Sequence, residues 1–182
     1  MIHYFLVYLD MEMFEELAQH ILIYHLKTNW LSISKLFNDL AKEYDSTMAM
    51  AFVILAIDNK TGTPVTKIAP RIGMEPNSLS RLLNSLEEKG AILRKNDSND
   101  QRKVLVYLTE IGEEFKNIAI QTVIEVEKSI TKNLSKEEKK LILKMMNNIS
   151  SAIKNIRNNP DQFKEARNQI DPDLPKVISQ IL

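Results

Sequence analysis

The stretch 65–109 switches from helical to strand spacing, and no other feature of the 182-residue chain constrains the fold as tightly. It opens with Ile68, Ala69 and Ile72 ahead of Gly73, and with Leu79, Leu82, Leu83 and Leu86 after it. Pro76 stands where a first helical residue tolerates a missing N–H, and Gly90 follows the last periodic residue, the usual place for a left-handed helix cap. Strand spacing then takes over at 91–95 and 104–108, with the polar loop 96–101 between. Two short helices around a glycine, followed at once by a hairpin, predict a helix-turn-helix carrying a wing.

Positional detail supports that reading. The first helix is predicted over 66–72 and the second over 77–89. With Gly73 as the turn residue, Ala69 falls four positions earlier, where close helix approach needs a small side chain. Ile68, Ile72, Met74, Leu79 and Leu82 fall on inward positions. The outward positions of the second helix hold Asn77, Ser78, Ser80, Arg81 and Asn84, short hydrogen-bonders and one arginine, the types that read base edges in a major groove. The wing carries Asp100, Gln101, Arg102 and Lys103, and a basic wing suits the adjacent minor groove. Lys67 and Lys95 are expected to hold phosphates.

The flanking sequence is helical. Leu26, Trp30, Ile33, Phe37, Leu40 and Tyr44 form one stripe of a helix read over about 12–44. A second helix, 47–58, capped by Asp45 or Ser46, is apolar nearly all round and is expected at the centre of the domain. Residues 59–62 end it with turn chemistry. Thr109 is expected to cap a helix bearing Ile111, Phe115 and Ile118, and Ser135 with Glu138 spells a capping box for a helix bearing Leu141, Met145, Ile149 and Ile153. A further short helix is read around 163–170. The fold class is therefore mainly α: a winged helix-turn-helix domain with a small β-hairpin wing and a helical dimerisation region. The divisions are 1–45 with 109–159 for the helical region, 46–108 for the winged domain and 160–182 for a C-terminal tail.

Charge locates the working surface. The formal net charge is zero, which alone argues against a nucleic-acid partner. The distribution reverses that argument: 66–103 carries 8 Lys/Arg against 5 Asp/Glu, whereas 1–65 carries 4 against 8. Any polyanion is expected on the middle block.

The run 65–90 (VTKIAPRIGMEPNSLSRLLNSLEEKG), the wing AILRKNDSNDQRKVLVYLT and the following EIGEEF resemble the MarR family of bacterial transcriptional regulators, over about residues 20–157. Asp100-Gln101-Arg102 ahead of 104–109 is the most specific part. The resemblance implies a homodimer on a pseudo-palindromic operator in double-stranded DNA, acting as a repressor released by a small-molecule effector. It also implies that the first and last two helices build the dimer interface. It places Arg102 in the minor groove with Asp100 fixing the wing, Arg81 on the recognition helix, and an effector crevice near His25 and Trp30. Pro70 departs from the pattern and is expected to distort the first turn of its helix if Thr66 is the N-cap.

Other chemistries lack their residues. The chain has no Cys and only His3, His20 and His25, and a spacing of five does not stack two ligands on one helix face. No metal or cofactor is expected. The four glycines are scattered and neither GxSxG nor HExxH occurs, so no enzyme is expected. The longest apolar runs are too short for a bilayer, and Ile2–Leu9 is a poor signal peptide, which with the absence of Cys predicts a cytoplasmic protein. The first ten residues read as an extension before Met11 or Met13. A winged-helix scaffold for protein interaction, without DNA binding, is the alternative from another class.

Overall fold

The computed structural model describes residues 18–98 and 100–161. The expectations for the first residues and for a helix around 163–170 lie outside them. Helix α1 (Leu22–Ala41) is followed by a 3-10 turn (Lys42–Tyr44), α2 (Met48–Leu55), β1 (Thr63–Pro64), α3 (Val65–Ile72) and α4 (Pro76–Glu88). Strands β2 (Ile92–Asn96) and β3 (Val104–Leu108) then lead to α5 (Glu110–Ile130) and α6 (Lys136–Asn158). Two compact units result: Ile33–Lys132, and the described residues on either side of it.

Within Ile33–Lys132 the apolar helix α2 lies at the centre, as its lack of a polar face demands. Met50, Val53 and Ile54 are buried in one cluster with Ile57, Ile68, Leu79, Leu83, Leu86, Ile92, Val106 and Leu108. Asn38 Oδ1 accepts from the Met48 amide at 3.0 Å, and Lys116 Nζ donates to the Ile57 carbonyl at 2.6 Å. These bonds anchor both ends of α2 to flanking helices, so the compact unit reaches beyond 46–108.

Several local expectations need correction. Thr47, not Asp45 or Ser46, caps α2, accepting from the Met50 amide at 3.2 Å; Asp45 is in the left-handed conformation (φ 46) that ends the preceding turn. The N-terminal helix is interrupted at Ile21, where the His25 ring takes the Gln19 carbonyl at 2.7 Å in place of a helical N–H. A third strand, β1, pairs with β3 (Thr63 opposite Val106) on the side away from β2. It starts α3 one residue early, at Val65, so Pro70 lies inside the helix rather than in its first turn. The bond it forgoes is to the Thr66 carbonyl, and Pro70 is exposed, so water can satisfy that group. The capping box at Ser135 and Glu138 is present, and Thr109 caps α5.

Candidate nucleic-acid interface

Gly73 makes the turn between α3 and α4 because its φ of 65° lies where an L side chain is strained. The space beside it is open, so conformation alone demands the glycine. Ile68, Ala69, Leu79, Leu83 and Leu86 are buried between the two helices and the sheet, while Ile72, Met74 and Leu82 are packed against them and partly covered. With the leucines turned inward, Asn77, Ser78, Ser80, Arg81 and Asn84 are all exposed on α4, and Lys67 is exposed on α3. Asn77, Arg81 and Asn84 recur at spacings of four and three and so share one stripe. Ser80 donates its hydroxyl to the Pro76 carbonyl at 3.1 Å.

The wing is β2 and β3 in antiparallel register, Arg94 opposite Val106 and Asn96 opposite Val104. Its tip folds around Asp100. One carboxylate oxygen accepts from the Arg102 amide and from Arg102 Nε, both at 3.2 Å, and the other lies 3.4 Å from Lys103 Nζ. The Arg102 side chain, followed by its backbone amide, holds the Asp100 carboxyl below the ordinary carboxylate range. Arg102 itself is 92% exposed, so the carboxylate orients a cation that is otherwise free in solvent. Gln101 and Lys103 are exposed beside it, and Lys95 Nζ sits 5.8 Å from the centre of the Tyr107 ring, steadied by a cation–π contact. Every DNA-facing residue expected from sequence thus lies in the unit Ile33–Lys132, on α3, α4 or the wing.

His25 and Trp30 lie elsewhere. Both are exposed on the N-terminal half of α1, outside that unit. The apolar cavity within Ile33–Lys132 is lined instead by Phe37, Tyr44, Phe52, Leu55, Phe115 and Val123, among others, and no charged side chain borders it. Sequence reasoning passed over Arg94, counted only as part of the basic block. It reaches from β2 to α4, with Nη2 donating to Asn84 Oδ1 at 2.6 Å. No periodicity links positions 84 and 94; only the packing of the wing against the helix does. Among the described residues there is no cluster of His, Cys, Asp or Glu fit to hold a metal, and no helix is long and apolar enough to cross a membrane.

A helix of short polar side chains standing on a helix-turn-helix, flanked by a hairpin with an oriented arginine at its tip, defines a winged-helix nucleic-acid-binding protein. Residues 47–104 match the model of the MarR family. Over 119 residues the chain is 29% identical to the HTH-type transcriptional regulator SarZ of Staphylococcus aureus, strain USA300, covering 65% of this chain and 79% of that protein. Its fold is similar to that of S. aureus MepR in a complex with DNA (20% identity, TM-score 0.68, covering 74% of this chain and 98% of that one). It is similar also to the transcriptional repressor CouR bound to a 23-mer DNA duplex (26% identity, TM-score 0.65, covering 72% and 94%). Residues 47–104 thus carry a MarR-family domain, and the chain as a whole is similar to winged-helix transcriptional regulators of that family.

Proposed function

We propose that the protein binds a pseudo-palindromic operator in double-stranded DNA as a homodimer, represses transcription there, and is released by a small-molecule effector. The observation that carries the DNA contact is the exposed stripe Asn77, Arg81 and Asn84 beside a wing whose Arg102 is oriented by Asp100 and otherwise free. Base edges then fall to α4, and the minor groove to Arg102. Lys67 and Lys95, exposed at the margins of the same surface, suit phosphates. The similarity to CouR, a transcriptional repressor, supports this sign of regulation.

Apolar exposure supports the homodimer. Helix α6 buries none of its residues within one chain, and Leu141, Met145 and Ile153 on its stripe are 56, 52 and 50% exposed. Ile124 and Ile130 of α5 are exposed too. Exposed apolar stripes of this kind mark interfaces, and a second copy covers them in the proposed assembly. In this reading 1–45 with 109–159 is the dimerisation region and 46–108 binds DNA. The cavity lined by Phe37, Phe52 and Phe115 supports an uncharged, mainly apolar effector, since no charged group lines it to neutralise an ion.

The test is recovery of sites from a random duplex pool by the full chain, followed by titration of Arg81→Ala. Two half-sites about one helical turn apart, roughly 34 Å, are expected. Arg81→Ala should cost roughly 1–3 kcal/mol on the recovered site and less on scrambled DNA, because it removes a base-edge contact. Failure to enrich any site would favour the protein-interaction scaffold instead.

A further inference from the structure

Arg94 is the one arginine of the basic block whose side chain is spent between the wing and the recognition helix. From β2 it turns back onto α4, donating Nη2 to Asn84 Oδ1 at 2.6 Å and lying 3.4 Å from Glu87 Oε2. Its side chain is 28% exposed, and Nε is buried without a partner among the described residues. A guanidinium held between an amide and a carboxylate, and largely covered, is poorly placed to grip phosphate. Its effect falls on Asn84.

Arginine carries five N–H donors and no acceptor, so only the carbonyl end of the Asn84 amide can face it. The two ends of that amide are therefore assigned by chemistry: Oδ1 is engaged, and Nδ2 makes no hydrogen bond within the described residues. Asn84 is exposed on the stripe shared with Asn77 and Arg81. An asparagine singles out adenine by using both ends, donating to N7 while accepting from N6. The carbonyl oxygen has a second lone pair, but Arg94 fixes the direction in which it points, so the amide cannot turn both ends to one adenine, and adenine loses its advantage. Acceptor-rich edges, guanine N7 and O6 or thymine O4, become equal or better partners for the free donor.

We propose that Arg94 is a positioning residue that makes Asn84 a donor-only reader in the major groove, shifting its preference from adenine toward guanine or thymine. This deepens the operator-binding reading and rests on it. Glu87 completes the device: its carboxylate balances the guanidinium and steadies it from the next turn of α4.

The test uses the full chain and the site recovered from the random pool, with each base placed in turn at every position. Wild type, Arg94→Met, Arg94→Lys and Asn84→Ala are titrated against the set. One position in each half-site should lose its base preference in Asn84→Ala, and there the wild type should not favour adenine over guanine. Arg94→Met frees the carbonyl and should raise adenine relative to guanine at that position by roughly tenfold. Arg94→Lys, which still donates to Oδ1, should keep the wild-type profile, and preferences at other positions should hold in all variants. An Arg94 that only supports the fold would weaken every site in proportion and leave relative preferences untouched, which would overturn the proposal. So would a wild type that already prefers adenine at the Asn84 position, or an Asn84→Ala variant that changes no preference. Should Arg94→Met not fold, the wild-type adenine-to-guanine ratio and the Asn84→Ala profile decide. A wild type that enriches no site defeats the operator reading and this inference with it, whereas a recovered site with an unchanged Arg94→Met profile defeats this inference alone.

Discussion

Replacing Arg102 by alanine isolates what the wing contributes to binding. The side chain is 92% exposed and its ion pair is with Asp100 at the same hairpin tip, so its loss disturbs no packing. An exposed pair of this kind adds little to stability, and the melting temperature should hold. On DNA the loss is electrostatic. Each cation that displaces a condensed counterion contributes about 0.9 to the slope of log affinity against log salt. The proposed dimer would present two wings, so on that reading the slope should become shallower by about 1.8, and the wild-type advantage should shrink about twelvefold as salt rises fourfold. The assay is fluorescence anisotropy on the recovered operator at four or more salt concentrations, with the variant's dimeric mass checked by light scattering. A slope unchanged within error, in a folded dimer, refutes the placement of Arg102 against the DNA. A shift of about half that size would mean that only one wing engages at a time.

Two glycines should fail for opposite reasons on denaturant unfolding. Gly112→Ala should destabilise by about 1–3 kcal/mol despite better helix propensity, because a Cβ there runs into the Ala91 carbonyl. Gly73→Ala meets nothing but must hold φ 65°, and should cost about 1–2 kcal/mol. Met145→Glu or Ile153→Glu puts a charge on the exposed apolar stripe of α6 and should give a folded monomer by light scattering at micromolar concentration; an intact dimer would move the interface elsewhere. Asp100 titrates below its ordinary 3.8 because Arg102 donates to it. A depressed value means that its hold on the wing is present above that ordinary pKa and lost as pH falls through the lowered one. Wing amide resonances should therefore be constant at neutral pH and shift only in acid, and that acid shift should vanish in Asp100→Asn.

Signals confined to three or four residues were legible in the chain alone. Gly73 and Gly90 sit at φ 65° and 69°, as helix-ending glycines must, and Pro76 opens α4. Ser135 with Glu138 forms its capping box, and the leucines of α4 turn in while its polar residues face out. Each of these is a local rule in which backbone geometry selects a residue type, so sequence carries it whole. Tertiary structure decided the rest. Strand β1 is two residues long and includes Pro64, too short to show a period, and exists only because β3 offers a free edge. Gly112 looks like an ordinary helical weakness until the Ala91 carbonyl is packed against it. Arg94 reads as one more cation in a basic block, and only the docking of β2 on α4 turns it toward Asn84. Local chemistry set where α4, α5 and α6 start and which face of α4 is polar. Which side chains meet across elements depended on packing, because no spacing along the chain encodes a contact made between two separately folded pieces.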